Sequence, residues 1–235
     1  MRPRPYRLTL SMTVHNEADR YLSRVLQRYR PIIDQAVIID DGSTDHTVSV
    51  CEEILNGIPL HLIRNEASNF KEEHRLRKQQ WEATLSTDPD WILNVDADEL
   101  FDQQLDQHIE ALLRQHVYDA FYFRLYDMWN ETHYREDYFW RAHLIYRPFL
   151  VRPHCLASTA WKETNQHCGR FPLEIEQLSF ACHSARIQHF GWATPQDRLH
   201  KAERYRLLDP EGQYGWLEQY ESILDPAPPL VAWEE

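Results

Sequence analysis

The feature that most constrains the fold is a regular alternation of strand and helix patterns over residues 7–114. Short apolar segments with the pattern of buried strands are separated by segments whose apolar residues recur at helical spacing. The predicted strands are 7–14, 36–39, 60–63 and 91–95, and the predicted helices are 19–29, 46–55, 71–85 and 105–113. Strands that alternate with helices form a parallel sheet with right-handed crossovers. The sequence therefore predicts an α/β fold with a mostly parallel sheet flanked by helices.

The second half of the chain is less regular and is rich in aromatic residues. Residues 121–149 contain 11 of the 29 Phe, Trp and Tyr residues. Strands are predicted at 121–125 and 186–189, and a last helix at about 196–208 precedes a Pro-rich tail. Most of the aromatic side chains are expected in the core, because they carry much buried area in any fold.

Composition argues against several classes of function. The 25 Lys and Arg residues face 37 Asp and Glu residues, and the net charge of −12 disfavours a nucleic-acid partner, which needs clustered basic residues. None of the six glycines has G-x-G spacing or precedes a lysine, which excludes the dinucleotide fingerprint and the P-loop. No apolar run approaches the ~20 residues of a membrane span. We expect a cytoplasmic protein whose four cysteines are reduced. The protein would either diffuse in the cytoplasm or bind peripherally to the inner membrane surface.

Polar segments follow each of the four predicted strands at the point where the strand ends. They are His15-Asn16-Glu17, Asp40-Asp41-Gly42-Ser43, Arg64-Asn65-Glu66 and Asp96-Ala97-Asp98-Glu99. The carboxyl ends of parallel strands meet at one edge of the sheet, where ligands bind. Because neutral loops would serve the fold equally well, we interpret these segments as parts of a binding site.

The carboxylates in these segments indicate a cation site. Asp96 and Asp98 are two residues apart, and in extended backbone such side chains point to the same side. Two like charges held together disfavour ionisation unless a cation lies between them. Oxygen ligands of this kind select Mg²⁺ or Mn²⁺. For residues 41–45 the alternative is a turn and helix cap, which the same residue types favour.

These segments together resemble the family 2 glycosyltransferases of the GT-A fold. The resemblance rests on residues 16–17, 38–45 and 96–99, and a looser match follows at residues 189–191. It implies a Rossmann-like, mostly parallel sheet flanked by helices, with an aromatic, loop-rich acceptor side. It also implies an inverting enzyme that moves a sugar from a nucleotide-diphosphate donor to an acceptor hydroxyl group with the help of a divalent metal.

The resemblance also implies partners and residue roles. The donor would be a UDP-, dTDP- or GDP-sugar, the acceptor a glycan or another hydroxyl compound, and the cofactor Mn²⁺ or Mg²⁺. Asp41 would hold the base or ribose, Asp96 the ribose or the metal, and Arg77, ahead of Arg75, would contact the donor. The implied donor-binding residues are Val14, Asn16, Glu17, Asp40, Asp41, Arg77, Asp96 and Ala97. The implied metal ligands are Asp96, Asp98 and His189.

A carboxylate on the acceptor side is expected to take the acceptor's proton. The candidates are Asp127, Glu131, Asp137 and Glu163. In related family members an acidic residue precedes a later histidine, which makes Glu163 the first choice and Asp137 the second. For each of them the alternative is a solvated surface charge. Aromatic candidates for stacking on sugar faces are Trp129, Tyr138, Trp140 and Trp161.

The expected organisation is one catalytic domain with two halves and a tail. Residues 1–100 would bind the nucleotide-sugar, residues 101–208 the acceptor, and residues 209–235 form the Pro-rich tail. Within the tail, residues 230–233 are apolar enough to dock on the chain's own domain or on a neighbour.

Three other interpretations stay open. One is a non-catalytic nucleotide- or glycan-binding domain of the same fold. Another is a nucleotidyltransferase, which would be expected to carry a Gly-rich basic loop after the first strand. The third is a structural zinc site, although the usual close pair of cysteines is missing. Its candidate ligands are His154, Cys155, His167, Cys168, Cys182, His183 and His189.

Overall fold

The computed structural model of the chain describes residues 5–156, 160–164 and 168–234. The strands are β1 (Leu8–Val14), β2 (Gln35–Asp40), β3 (Leu60–Arg64), β4 (Trp91–Asn94), β5 (Glu99–Phe101), β6 (Ala120–Asp127), β7 (His133–Arg135), β8 (Tyr146–Val151), β9 (Phe180–His189) and β10 (Leu230–Ala232). The α-helices are α1 (Leu22–Tyr29), α2 (Thr47–Ile54), α3 (Glu73–Leu85), α4 (Gln104–Arg114), α5 (Pro195–Leu208) and α6 (Leu217–Ser222). Short 3₁₀ helices lie at Phe70–Glu72, Ala142–Leu144, Pro153–Cys155, Leu173–Gln177 and Phe190–Trp192.

Among the described residues, eight strands form one sheet in the order β3-β2-β1-β4-β8-β6-β9-β5, and β10 pairs separately with β7. The strands β1 to β4 are parallel where they pair, with β1 between β2 and β4. The strand β8 runs antiparallel to β4, and β5 runs antiparallel to β9. The predicted α/β fold, with a large sheet flanked by helices, is confirmed.

The central strand β1 is buried on both faces, and its sequence explains how. Leu8, Leu10 and Met12 are completely buried, and all seven residues of the strand are buried. On the other face, the Ser11 hydroxyl lies 2.8 Å from Thr84 Oγ1 and accepts a hydrogen bond from Gln80 Nε2 at 3.1 Å. Both partners belong to α3, so the helix that covers this face satisfies the polar side chain.

The strands β5, β7, β8 and β10 and the helix α6 were not predicted from the sequence. The strand β5 has only three residues and pairs with β9, so that Glu99 lies opposite His189. The helix α6 lies in the segment predicted as a Pro-rich tail. The end of that tail docks on its own chain, since β10 pairs with β7 and Trp233 N donates to the Thr132 carbonyl at 2.8 Å. Short elements of this kind depend on distant partners, which local periodicity does not reveal.

The chain divides into two compact units. The first contains Met1–Asp98, Gln104–Tyr122 and Pro148–His183. The second contains Glu99–Gln103, Phe123–Arg147 and Ser184–Glu235. One core cluster of the first unit is built around Trp81, Ile92 and Trp161, and a cluster of the second unit is built around Trp129, Trp140 and Trp192. Three of the four aromatic candidates for sugar stacking are therefore core residues, and Tyr138 is the exposed one.

Candidate functional site

The carboxyl ends of β1, β2 and β3 lie level with one another at one edge of the first unit. Val14 at the end of β1 is opposite Asp40 at the end of β2, and Asp40 is opposite Arg64 at the end of β3. On the other side of β1, Asn94 at the end of β4 is opposite Ser11. The polar segments that follow the parallel strands therefore start from the same edge, as the alternating pattern predicted.

The turns after β1 and β2 hold each other through hydrogen bonds. Asn16 has a positive φ of 54°, and its backbone N–H donates to Ser43 Oγ at 2.9 Å. Its side-chain Oδ1 accepts from Thr44 N at 2.8 Å. Glu17 N donates to Thr47 Oγ1 at 2.7 Å. Asn16 and Glu17, both predicted to line the nucleotide, thus also fix the position of the loop that follows β2.

Asp41 is completely buried, and the loop after β3 surrounds its carboxylate. Oδ1 accepts from Asn65 Nδ2 at 2.9 Å, and Oδ2 accepts from Ser68 Oγ at 2.7 Å and from Asn69 N at 2.9 Å. The next residue, Gly42, has a φ of +76°, and a Cβ there would lie 3.0 Å from the backbone of Ala67 and Ser68. Asp41 therefore anchors this loop, and its direct contact with a nucleotide stays a prediction.

Asp40 is also almost fully buried at the end of β2. Its Oδ1 accepts from Ser43 N at 3.3 Å, and its Oδ2 lies 3.6 Å from Arg64 Nε. The Arg64 side chain is largely exposed, so this ion pair reaches from the buried strand end to the surface. Asp40 thus shapes the turn, and its ion pair holds the Arg64 guanidinium at the edge of the sheet.

Two arginines contact Asp96, the first carboxylate after β4. Arg77 Nη2 lies 3.0 Å from Asp96 Oδ1, and Arg170 Nη2 lies 3.3 Å from Asp96 Oδ2. On α3, Glu73 lies 3.7 Å from Arg77 Nε, whereas Arg75 points to Glu72. Burial alone would lower the pKa of Arg77, but the nearby Asp96 and Glu73 carboxylates outweigh this effect and raise it, so the guanidinium stays charged. Of these two arginines the structure brings Arg77 to Asp96, and its contact with the donor stays a prediction.

Asp96 and Asp98, the two predicted metal ligands after β4, have different surroundings, and their roles toward a divalent cation stay predictions. Mg²⁺ sites commonly use one or two protein carboxylates and leave the other positions to water and substrate phosphates, and Mn²⁺ takes similar oxygen ligands. Asp98 is half-buried, Ala97 before it is buried, and both oxygens of Asp96 contact guanidinium groups. In the described part of the chain, no group of three or more His, Cys, Asp and Glu side chains is arranged around a metal position.

In the second unit, the last residues of β6 and β9 form a carboxylate–histidine pair. Asp127 Oδ1 lies 2.8 Å from His189 Nδ1, and both side chains are mostly buried. The His189 carbonyl also accepts from Met128 N at 2.9 Å. A carboxylate on one ring nitrogen fixes the tautomer of a histidine and directs its other nitrogen to a ligand, as in many metal sites. The role of His189 as a metal ligand stays a prediction.

Asp137, the second choice for the proton acceptor, is bound within a buried ionic cluster. Its Oδ2 accepts from Arg135 Nε at 2.6 Å, and its Oδ1 accepts from Phe139 N at 2.8 Å. The Arg135 guanidinium is buried over the rings of Trp129 and Trp140, with centroid distances of 4.7 and 5.2 Å. This arrangement assigns Asp137 to the stability of the second unit and argues against a role as proton acceptor.

Glu163 is exposed in the first unit, and its predicted role as proton acceptor stays a prediction. Of the candidate zinc ligands, Cys155 and Cys182 are exposed, and His167 lies outside the described residues. Burial raises the pKa of the Cys168 thiol to about 12, which disfavours the thiolate that zinc requires. Between residues 5 and 234, no helix among the described segments is long and apolar enough to cross a membrane.

The fold is that of the GT-A glycosyltransferases. The sequence model of Glycosyl transferase family 2 matches residues 9–173, which is well over half of the chain. The chain therefore belongs to glycosyl transferase family 2. No protein among the curated sequences matches it.

Solved structures with the same fold include two kinds of glycosyltransferase. Residues 1–349 of S. aureus TarS, in complex with UDP, superimpose with a TM-score of 0.59 at 17% identity, covering 93% of this chain and 69% of that one. A longer TarS structure, at 18% identity, is covered to 42%. Glucosyl-3-phosphoglycerate synthase from Mycobacterium tuberculosis, in complex with Mn²⁺, UDP and glucosyl-3-phosphoglycerate, has a TM-score of 0.53 at 12% identity, with 97% and 88% coverage. At these identities the likeness establishes the fold.

Proposed function

We propose that this chain transfers a sugar from a nucleoside-diphosphate donor to a hydroxyl group of a glycan or another acceptor, with inversion and with Mn²⁺ or Mg²⁺. The observation that carries the proposal is the charged cluster after β4, where Arg77 and Arg170 meet Asp96 and Asp98 follows at the next turn. This cluster combines the cations that a diphosphate requires with a carboxylate for a divalent metal. TarS with UDP and UDP-GlcNAc, and the mycobacterial synthase with UDP and Mn²⁺, support a UDP-sugar as the first donor to test.

The proposed donor site uses the edge formed by the ends of β1, β2 and β4. Asn16, Asp41 and the loop that Asp41 anchors would border the base and ribose, next to Val14, Glu17 and Asp40. Arg77 would stabilise the donor phosphates, and Ala97 would let the substrate approach the turn closely. A divalent metal on Asp98 would offset the negative charge that grows on the leaving diphosphate. The role of His189 as a metal ligand is a separate proposal.

We propose Glu163 as the group that takes the proton from the acceptor hydroxyl. It is an exposed carboxylate, which a solvent-borne acceptor can reach, whereas Asp137 is bound to the buried Arg135. Asp127 is the competing candidate because it is mostly buried beside His189, and burial of a carboxylate next to a histidine suits proton transfer. The transition state would carry oxocarbenium character, by analogy with glycoside hydrolysis.

Calorimetric titration tests the donor proposal. We expect binding of at least one of UDP, dTDP and GDP to the full chain in the presence of Mn²⁺, and weaker binding in EDTA. Incubation with the matching nucleotide-sugars should then release free sugar slowly even without acceptor. Absence of binding to all three nucleotides, with and without Mn²⁺, would contradict the proposal. Binding without any turnover would instead support a non-catalytic nucleotide-binding domain.

A further inference from the structure

The second unit contains an open groove that the proposed donor site does not use. Its volume of about 480 Å³ lies within the size range of small-molecule sites. The groove is lined by residues of three segments, which are 129–130 after β6, 193–198 around the start of α5, and 223–230 from the end of α6 to the start of β10. All three segments belong to the second unit. We call this feature the Arg198 groove, after the cationic side chain in its wall.

The Arg198 groove lies next to the Asp127–His189 pair of the same unit. The segment that leaves Asp127 continues to Trp129, the segment that leaves His189 continues to Ala193, and both Trp129 and Ala193 line the groove. Trp192 connects the pair to the groove wall, since its ring centroid lies 6.4 Å from that of His189 and 6.4 Å from that of Trp129. A ligand in the groove would therefore lie close to a histidine and a carboxylate that already have proposed roles in transfer.

Arg198 is held in the groove wall through one nitrogen of its guanidinium. Nη1 donates to the Trp129 carbonyl at 2.9 Å and to the Trp192 carbonyl at 2.6 Å, and the guanidinium carbon lies 4.9 Å from the Trp129 ring centroid. No acceptor among the described residues takes a hydrogen bond from Nε or Nη2 of Arg198, and neither of these nitrogens is sealed in the interior. The N–H groups on these two nitrogens therefore remain for a ligand, in the planar geometry that matches carboxylate and phosphate oxygens.

The charges around the groove favour an anionic group at Arg198. No carboxylate in the described segments forms an ion pair with Arg198, although the adjacent Asp197 favours its charge. Asp225 also lines the groove, but its Oδ2 lies 3.5 Å from Arg135 Nη2 and its Oδ1 accepts from Ala227 N at 3.0 Å. Burial lowers the pKa of Arg198, and together with the Arg135 guanidinium it outweighs the effect of Asp197. An anion in the groove would offset both unfavourable effects.

The remaining wall suits the carbon framework of a small ligand. Leu224 and Leu230 are 41% and 39% exposed, and Pro226 and Pro228 line the groove beside them. We propose that the Arg198 groove binds an acceptor that carries a carboxylate or a phosphate group, with Arg198 as the residue that binds this group. The inference rests on the proposed function, which requires an acceptor but does not specify its charge. A sugar ring or a short carbon chain would pack on the leucine and proline side chains.

Ligand-observed NMR titrations of the full chain test this class of ligand without any measurement of turnover. The probes are glucuronic acid, glucose 6-phosphate and glucose, which share one ring and carry a carboxylate, a phosphate and no charge. We expect at least one of the two anionic sugars to bind the wild type at least about tenfold more tightly than glucose, because it alone can pair with the guanidinium. Arg198→Gln should remove this preference. Arg198→Lys should keep part of it, since it keeps the charge but loses the planar fork.

A matched pair of leucine variants locates the binding without changing Arg198. Leu224 and Leu217 are both 41% exposed in the second unit, but Leu224 lines the groove and Leu217 does not. Leu224→Glu should weaken binding of the anionic sugars by about fivefold or more through repulsion between like charges, and leave glucose binding unchanged. Leu217→Glu is the control, and we expect it to bind all three probes as the wild type does.

Two outcomes would overturn this inference and leave the proposed function in place. One is a wild type that binds the anionic sugars no more tightly than glucose. The other is a preference that Arg198→Gln leaves unchanged, or that Leu224→Glu leaves unchanged if Arg198→Gln does not fold. The donor titration is independent of both. A chain that binds none of the three nucleoside diphosphates would overturn the proposed function, and with it the role of the groove as an acceptor site.

Discussion

Asp96 and Asp98 are only two residues apart, but their surroundings assign them different tasks. Both oxygens of Asp96 contact arginines, one from α3 and one from the segment before β9. Asp98 is half-buried at the turn that leads into β5. A carboxylate between two guanidinium groups contributes to stability, whereas we proposed Asp98 as the carboxylate that binds the cation. Neutralising each of them should therefore have a different effect.

We predict that Asp98→Asn removes transfer activity and leaves the fold intact, whereas Asp96→Asn destabilises the fold. Asp98→Asn should lower kcat/KM by about 10²-fold or more and lower the free energy of unfolding by less than Asp96→Asn does. Asp96→Asn should lower that free energy by about 1–3 kcal/mol, because it leaves Arg77 and Arg170 without their shared carboxylate. Urea unfolding and a transfer assay measure both. Equal destabilisation by the two variants would show that Asp98 is also structural.

A second pair of variants separates the proton acceptor from a residue that orients a metal ligand. Glu163→Gln should lower transfer by about 10²–10⁴-fold at any Mn²⁺ concentration, because it removes the base. Asp127→Asn should weaken metal affinity by about 10–100-fold through His189, so high Mn²⁺ should restore its activity. Transfer rates measured over a range of Mn²⁺ concentrations distinguish these effects.

The control for this comparison is Glu176→Gln, which changes an exposed glutamate of the same unit as Glu163. We expect it to be as active as the wild type. A loss in Asp127→Asn that Mn²⁺ does not restore, together with an active Glu163→Gln, would show that Asp127 is the proton acceptor.

Among the elements, the loop between β3 and α3 packs closely against Gly42, which follows β2. Gly42→Ala should lower the free energy of unfolding by about 3 kcal/mol, since it combines a φ of +76° with a Cβ 3.0 Å from the backbone of Ala67 and Ser68. Gly57→Ala is the control, because Gly57 has a φ of +86° but its nearest neighbour would be Arg30 Nη2 at 3.9 Å. Its cost should be only about 1 kcal/mol.

Urea unfolding of both variants and titration with UDP measure the two effects. Gly42→Ala should also weaken nucleotide binding, because the loop that Asp41 anchors would have to move away from the strand end. If Gly42→Ala and Gly57→Ala destabilise the chain equally, the close approach of the loop has no energetic role.

The sequence was sufficient for the elements whose signal is local. The strands β1 to β4 and the helices between them follow from apolar periodicity, and their boundaries shift by only a few residues, as where α1 begins at Leu22. The strand β5 could not be predicted, because three residues become a strand only through pairing with β9. For the same reason the contact between Asp96 and Arg170 was not visible, since it joins residues 74 positions apart in sequence.

The candidate site shows the same limit at the level of side chains. Residue types at the strand ends predicted a polar, acidic edge, but not which carboxylates face inward. Asp41 and Asp137 both accept backbone N–H groups and hold loops, although the sequence pattern suggested ligand-binding or catalytic roles. A buried carboxylate that caps a loop and one that binds a ligand have the same local sequence, and only their distant partners distinguish them.

Considered as a whole, the molecule has several groups whose protonation affects stability as the pH falls. The net charge of −12 becomes less negative on acidification, and the repulsion between like charges within the folded chain falls. His143 acts in the opposite direction, because burial lowers its pKa and the unfolded chain takes up a proton first, so stability is lost as the pH falls through about 6.5. The pH dependence of wild-type stability is thus a sum of opposing contributions. The contribution of a single group is measured only by comparing the wild type with a variant that lacks this group.

Asp209 is suited to such a comparison because its carboxylate holds the loop before α6. Its Oδ1 accepts from Gln213 N at 2.6 Å, and its Oδ2 accepts from Tyr214 N at 3.0 Å and Tyr220 Oη at 2.8 Å. Burial alone would raise the pKa of Asp209, but the hydrogen bonds outweigh it and hold the pKa below the ordinary value. The ionised form therefore stabilises the fold above a pH of about 3.9, and this contribution is lost as the pH falls through the lowered pKa.

We predict that Asp209→Asn lowers the free energy of unfolding by about 1–3 kcal/mol at pH 7, because one carboxylate oxygen becomes an amide that cannot accept these bonds. The difference between wild type and variant should stay constant down to about pH 5 and shrink below pH 4, where Asp209 of the wild type takes up a proton. Urea unfolding of both proteins between pH 3 and pH 8 measures this difference, and the contributions of net charge and His143 cancel in it. A difference that persists unchanged at pH 3 would mean that the carboxylate stabilises the loop by its shape and not by its charge.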